Sequence, residues 1–378
     1  MPNPFQPLQQ ALSTLVENAE ILPATGQAVT DMVTPDIEEI YDRHTTGEAT
    51  VHTVWETDAR SLYRTVEPIP RTQEHGFRYF VDGSARTYFI GTLLEQGRST
   101  PVQISQVGAA MVKREDDGRI RVVASRHKIL LTLEKNQVSE QLWQELERVL
   151  RGIPGYDLCD STTNNTYADM LGLSEPRPRG AHRANWYMRQ LEVELALSVS
   201  REKNTWLVVD GSLGNEFENW QGAPLVGVAK TFRRDTQFKL GSGPRAKKLN
   251  LFTLLKDLRE NQRTIIFPRG GEGKIVFWYV RIRPQKHLDY PLMGVVKVEM
   301  PNPDRKPVDS ALIDRISGWL IAERTVTPYG RDRRWHAHLY PIYIAERVIC
   351  ARFYSEEVLR SGIRWPFQVS HPKEGEEL

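Results

Sequence analysis

Val-Asp-Gly-Ser occurs twice in this chain, at 81–84 and 209–212, each time where an apolar run ends, FRYFV (77–81) and TWLVV (205–209). The pattern predicts two buried strands, each delivering an aspartate, Asp82 and Asp210. A strand end is rigid and fixes a carboxylate, while the glycine behind it permits a sharp turn and lets a backbone or a phosphate come close. Asp-Gly-Ser is also common turn chemistry, so one copy alone says little. An internal repeat does not explain the pair, because ARTYFIG after Ser84 and LGNEFEN after Ser212 do not match. Two carboxylates on two strand ends point to one site assembled by the fold.

The segments around these copies set the fold class. Runs at 87–94, 102–112 and 120–133 are rich in β-branched and aromatic residues, and EDDG (115–118) marks a hairpin turn between the last two. At 138–152 the spacing turns helical, with Leu142, Leu146 and Leu150 on one face and Gly152 as the stop. Residues 153–181 are polar and broken by Pro and Gly, which predicts a long loop. A helix at 183–202, a strand at 225–232, a helix near 246–260, strands at 263–268, 274–283 and 293–300, and helices near 307–324 and 341–360 follow. The N-terminus fits an amphipathic helix through Leu8, Leu12, Leu15, Val16 and Ala19. This order implies an α/β protein with a mixed sheet.

Composition enters mainly by exclusion. No apolar run approaches the roughly 18–20 residues that span a bilayer, so no membrane partner is expected. The first residues have neither the basic nor the apolar region of a secretory signal. Cys159 and Cys350 are the only cysteines and form no CxxC, so they read as plain thiols in a reducing cytoplasm. A net charge of +2 argues nothing about nucleic acid, but its distribution is uneven. Basic residues gather at 176–189 (Arg177, Arg179, Arg183, Arg189), at 230–250 (Lys230, Arg233, Arg234, Lys239, Arg245, Lys247, Lys248) and at 331–338. Any one cluster reads as a solvated face; their placement around the two aspartates suggests phosphate contact.

Between the aspartates lies NWYMRQLEVELALSVS (185–200), a helical pattern carrying Glu192 and Glu194. These two point to different sides of a helix, and Glu192 is favoured by its spacing from Arg189. A strand with Asp, antiparallel strands, a helix with Glu and a strand with Asp is the order of an RNase H-like nuclease core. Converging carboxylates suit hard divalent cations, which take oxygen ligands, and without a cation they repel one another.

These residues resemble the NurA family of DNA nucleases, which have an RNase H-like fold. Its motifs are matched by VDGSAR with Asp82 and Arg86, RQLE with Arg189 and Glu192, VVDGSL with Asp210, VGVAK with Lys230, YVRI with Arg281 and KVEMP with Glu299. LYPIYIAERV supplies Tyr340 and Glu346, the latter a departure where the family carries His or Asp; His336 and His338 are alternatives for that place. The resemblance spans roughly 75–350. It implies an RNase H-like mixed sheet flanked by helices over 71–360; residues 1–70, which the resemblance does not cover, read as a helical extension open to a partner or a second copy, and 361–378 as a tail. It also implies a Mn²⁺- or Mg²⁺-dependent nuclease on DNA ends, often 5′→3′, working as a homodimer with a HerA-type hexameric translocase in end repair or phage defence. Asp82, Glu192, Asp210 and Glu346 would hold the metal, with Lys230 and Tyr340 completing the catalytic set. Arg86, Arg183, Arg189, Arg233, Arg234, Lys247 and Lys248 would contact DNA, and Trp and Tyr residues would stack on unpaired bases.

Other signals lead elsewhere. PRGGEGKI (268–275) fails as a P-loop at Pro268 and Ile275 and reads as a hairpin turn. His336 and His338 lack the further ligands of a zinc site. Two rivals to the DNA nuclease are a non-catalytic adaptor on the same fold and an RNA-directed nuclease.

Overall fold

The computed structural model describes residues 3–29, 50–51, 55–59, 61–71, 74–163, 176–234, 236–240, 247–270, 272–286, 289–325 and 335–366. Three long antiparallel strands dominate it: β4 (Phe77–Glu95), β5 (Arg98–Arg114) and β6 (Ile120–Leu133). The β5–β6 turn is EDDG as expected, with Gly118 at φ +84° and its N–H donated to the Glu115 carbonyl at 3.0 Å. On the other edge of β4 lies β8 (Trp206–Asp210), parallel to both β4 and β9 (Leu225–Ala229). The sheet continues antiparallel through β15 (Val295–Pro301), β14 (Ile275–Arg281), β12 (Gln262–Thr264) and β3 (Tyr63–Thr65). With short strands appended to β4, β6 and β14, the last of them β13 (Phe267–Pro268), the described residues form one twelve-stranded mixed sheet. A separate three-stranded sheet joins β2 (Thr50–Val51), β10 (Gln237–Leu240) and β11 (Lys247–Asn250).

The first Asp-Gly-Ser does not end a strand. β4 runs straight through Asp82, Gly83 and Ser84, which pair with Ala110, Ala109 and Gly108 of β5. What ends there is the neighbour: β8 stops at Asp210, having paired Val209 with Val81. β1 (Glu20–Ala28) takes up the same edge of β4 only from Tyr88 onward. Residues 82–87 therefore have no strand partner on that edge among the described residues. This gap in the sheet is where the site lies.

Helices cover both faces. α1 (Gln9–Asn18) packs with α2 (Glu140–Leu150) over the far half of the long strands, burying Leu12, Leu15, Leu142 and Leu146 against Ile104 and Leu131. α2 starts two residues after the expected 138, its N-cap Ser139 side chain accepting from the Leu142 N–H. α3 (Pro176–Ser198) lies on the face carrying Val81 and Val209, with Leu191 and Leu195 buried there. α5 (Ser310–Glu323) and α6 (Tyr340–Cys350) cover the opposite face, carrying Phe80 and Val208, through Ile316, Leu320, Ile342 and Ala345. Two further short helices among the described residues are α4 (Leu251–Leu255) and α7 (Glu356–Gly362). No helix among the described residues is long and apolar enough to cross a membrane.

Several expectations are corrected. The loop over 153–181 contains β7 (Tyr156–Asp160), parallel to β6; only Cys159 of it is fully buried, so its sequence gives no apolar alternation. α3 begins at Pro176, earlier than the expected 183, because proline suits a first helical turn. The helix expected near 246–260 is β11 followed by the short α4, and the helix at 341–360 is two, restarted at the Ser355 N-cap. Among the described residues of the N-terminal extension, α1 ends at Asn18, after which β1 joins the main sheet. Residues 164–175, 326–334 and 367–378 lie outside the described residues; they hold part of the expected loop, the basic run at 331–334 and most of the tail.

Candidate active site

Strand alternation puts Asp82 on the face of Phe80 and Asp210 on the face of Val208, the face covered by α6. Glu346 lies on that helix, and one turn later Cys350 Sγ reaches Ser84 Oγ at 3.4 Å. Glu192 comes from α3 on the other face. It can do so because residue 83 is glycine: a Cβ there would stand 2.9 Å from Glu192 Oε1 and 2.6 Å from Met188 Cγ. The Gly83 N–H bonds Asp82 Oδ1 at 2.8 Å and also supports the Glu192 carboxylate. Carboxylates from two strands and two helices are thus near enough at the gap beside β4 for Asp82 to feel the charges of Asp210, Glu346 and Glu192.

Their mutual influence is electrostatic as well as geometric. Burial pushes the Asp82 carboxyl well above its usual range, and the charges of Asp210, Glu346 and Glu192 push it further, against Lys230. Burial raises Glu192 to about 7 although Arg189 opposes the shift. Asp210 is held by Lys230, Nζ to Oδ2 2.7 Å. Arg189 is the strut of the site: it donates to Glu192 Oε2 and to the Asp210 carbonyl, both at 2.7 Å, and to the Ser212 carbonyl.

A consequence is an inverse pH dependence of the metal-free fold. The Glu192 carboxyl goes from its ordinary 4.5 unfolded to about 7 folded, and Asp82 shifts the same way. A raised carboxyl contributes its stability below the unfolded value, and that contribution is lost as pH rises through the folded value. Without divalent cations, the melting temperature is expected to fall across pH 4.5 to 7, and Glu192→Gln is expected to flatten that fall. Thermal melts in EDTA test this, and a Glu192→Gln profile as steep as wild type contradicts it.

Beneath the Asp210 turn lies a support that the sequence signalled only in part. Gly211 adopts φ +87°, and Glu299, fully buried on β15, accepts the Leu213 N–H at 2.8 Å. Arg269 binds Glu299 at 3.1 Å and the Leu213 carbonyl, and Lys297 Nζ lies 2.9 Å from Glu299 Oε1. Glu299 stood out in the KVEMP pattern, whereas Arg269 sits in a stretch read only as turn and gave no signal.

Other predicted residues fall in different places. Glu194 is exposed while Glu192 is 2% exposed. Tyr340 opens α6 and is exposed, six residues ahead of Glu346, or roughly 9 Å at 1.5 Å per residue. His336 Nδ1 accepts the Gly294 N–H at 3.0 Å and lines a neighbouring cavity, and His338 is buried with its carbonyl on the Thr325 N–H.

The basic stretch at 176–189 is corrected most. It is the front half of α3 docked on the sheet: Arg177 over Phe89, Arg179 on Glu134 at 2.9 Å, Arg183 over Trp186 at 4.2 Å. Arg189, expected on DNA, is buried in the carboxylate site. Arg86 shares the Asp82 face and sits over Phe353. Arg233 is half-buried, while Arg234 and Lys248 are exposed beside the small sheet, and Lys247 is in β11.

Gly83→Ala tests the close approach of α3. Alanine in a strand gains about 0.5–1 kcal/mol over glycine, and the two contacts it makes are with side chains that can shift. Stability is therefore expected within about 1 kcal/mol of wild type, while displacement of Glu192 lowers activity about 10²-fold. Melts and cleavage rates measured together check the split.

The donor set is all oxygen, buried and mutually repulsive, which fits a hard divalent cation rather than zinc or a redox metal. Ser212 Oγ nearby is buried and finds no hydrogen-bond partner among the described residues. As placed, no group of three or more His, Cys, Asp or Glu among the described residues is arranged to hold a metal ion; Asp210 is turned to Lys230 and Glu192 to Arg189.

Fold and site together define a mixed α/β protein built around a buried acidic centre. The NurA domain matches residues 79–346, well over half of the chain. The chain belongs to the NurA family, a family of nucleases. No curated protein matches the chain with significance.

Proposed function

We propose that this protein is a Mn²⁺- or Mg²⁺-dependent deoxyribonuclease that hydrolyses phosphodiesters at DNA ends, as a homodimer fed by a HerA-type hexameric translocase. The observation that carries this reading is the burial of Asp82 among Asp210, Glu346 and Glu192 at the gap in the sheet. The strand order β6–β5–β4–β8–β9, antiparallel in its first three and parallel in its last three, supports an RNase H-like core.

Asp82, Glu192, Asp210 and Glu346 would hold the ion. When bound, it activates the attacking water and offsets charge on the leaving oxygen. The chain's own residues do the rest. Lys230 orients Asp210 and presents positive charge where a phosphate enters, which offsets the charge that develops there. Arg189 fixes Glu192 and the backbone of 210–212 as one unit, and Glu299 with Arg269 holds the turn from below. The buried setting strengthens each of these contacts. DNA would be tracked by Arg86, Arg233, Arg234, Lys247 and Lys248, whereas the arginines of α3 serve the fold.

The test is cleavage of linear duplex DNA, single-stranded DNA and RNA with Mn²⁺, with and without the translocase, for wild type and Asp82→Asn. Asp82-dependent cleavage of DNA supports the proposal. Cleavage confined to RNA redirects it, and no Asp82-dependent cleavage of any substrate leaves the adaptor reading.

A further inference from the structure

Arg189 and Lys230 both place positive charge inside the acidic centre, but they are held differently. Arg189 donates to Glu192 and to the carbonyls of Asp210 and Ser212, so its planar fork is part of the main-chain turn and cannot leave without undoing it. Lys230 brings a compact ammonium on a flexible stem. β9 ends at Ala229, and its register sets Val228 beside Asp210. Lys230, two residues on from Val228, therefore lies on the same face of the sheet as Asp210 and Asp82. Its Nζ is 2.7 Å from Asp210 Oδ2, with 7% of the lysine side chain and 17% of the aspartate side chain exposed. The same charge favours the ionised form of Asp82, against burial and against Asp210, Glu346 and Glu192.

An ammonium buried between carboxylates does part of what a divalent cation would do there, which is to offset their repulsion. It also stands in the cation's way. An oxygen that accepts the ammonium is not open to a metal ion, and two positive charges in one buried site repel. As placed, Asp210 is turned to Lys230, and no three carboxylates among the described residues are arranged to hold an ion. An ammonium displaced from Asp210 needs another anion, because a buried charge left uncompensated is costly. For a nuclease, the anion that arrives at this place is a substrate phosphate.

We propose that Lys230 is an internal counter-ion that competes with the divalent cation for Asp210 and yields when a substrate phosphate draws its ammonium away. Cation and nucleic acid then bind cooperatively, each raising the other's affinity by the same factor. The inference rests on the nuclease reading for its anion. It adds that loading of the acidic centre is linked to the arrival of substrate, with Lys230 as the link.

The experiment measures Mn²⁺ binding from the spin-resonance signal of the free ion, so that the readout is occupancy and not turnover. It is run with and without a phosphorothioate-linked single-stranded oligonucleotide, which resists cleavage, and the Mn²⁺ bound by the oligonucleotide alone is subtracted. In wild type the oligonucleotide is expected to tighten Mn²⁺ binding about tenfold, the scale on which linked sites act. Lys230→Met keeps the length of the side chain and deletes the charge; melts confirm that it folds. Without oligonucleotide it is expected to bind Mn²⁺ about tenfold more tightly than wild type, and to gain nothing further when the oligonucleotide is added. A second measurement needs no variant: acetylation of Lys230, read by mass spectrometry, is expected to rise on adding Mn²⁺ and to fall again when the oligonucleotide follows. Wild-type Mn²⁺ affinity unchanged by the oligonucleotide, affinity no tighter in folded Lys230→Met, or labelling unchanged by Mn²⁺ overturns the proposal, even if wild type cleaves DNA in an Asp82-dependent way. Tighter Mn²⁺ binding in Lys230→Met, with no cleavage of any nucleic acid by wild type, keeps the counter-ion and removes the nuclease reading.

Discussion

Asp82→Asn is expected to lower cleavage by at least about 10²–10³-fold, the scale on which losing one charge-stabilising group acts in a buried site, while leaving the fold intact or more stable. The two effects have one cause. Asp82 is 6% exposed, burial disfavours its ionised form, and Asp210, Glu346 and Glu192 disfavour it further. An amide of the same shape keeps an acceptor for the Gly83 N–H and removes the repulsion. In EDTA the variant is therefore expected to melt at or above the wild-type temperature near neutral pH. Such a gain with loss of activity marks a site whose charges are held against their own preference. A large drop in melting temperature would mean that Asp82 is structural.

Arg189 gives the opposite signature. Arg189, 9% exposed, holds Glu192 of its own helix and joins α3 to the end of β8 through two backbone carbonyls. Arg189→Met fills much of the space and deletes all three bonds. Breaking a buried pair from one side costs about 3–5 kcal/mol, because the remaining charge is left uncompensated. Glu192 can escape part of that cost by taking a proton, so the loss is expected to be smaller at pH 5 than at pH 8. Adding Glu192→Gln is expected to restore part of the stability at pH 8 and none of the activity. Denaturant unfolding of the single and double variants at both pH values measures this; equal losses at the two pH values would break the link to Glu192.

The two residues also show what the sequence could and could not reveal. Asp210 was placed correctly because an apolar run followed by Gly-Ser is a local signal, and Gly211 does turn at φ +87°. The same local signal misread Asp82. Nothing near it says that β4 continues for another thirteen residues while its neighbour β8 stops, because a gap in a sheet belongs to the pairing of distant segments. The arginines at 177–189 misled for a related reason. Their charge is visible in sequence, but their partners Phe89, Glu134 and the carbonyls of Asp210 and Ser212 are supplied by the docking of α3. Helix α2 was legible to within two residues at each end, since its apolar face and the Gly152 stop are both local. Glu299 was visible as an acid in an apolar strand, but its task of holding Leu213 was not.

The central claim is that Asp82, Glu192, Asp210 and Glu346 act as one divalent-cation site, and calorimetric titration of Mn²⁺ into the folded protein tests it most directly. Wild type is expected to take up Mn²⁺ with release of protons at pH 7, because Glu192 titrates at about 7 and must give up its proton to bind. Asp82→Asn and Asp210→Asn, folded by their melts, are expected to lose that uptake. Equal uptake by wild type and both variants, or no uptake by wild type in the presence of DNA, would contradict the claim.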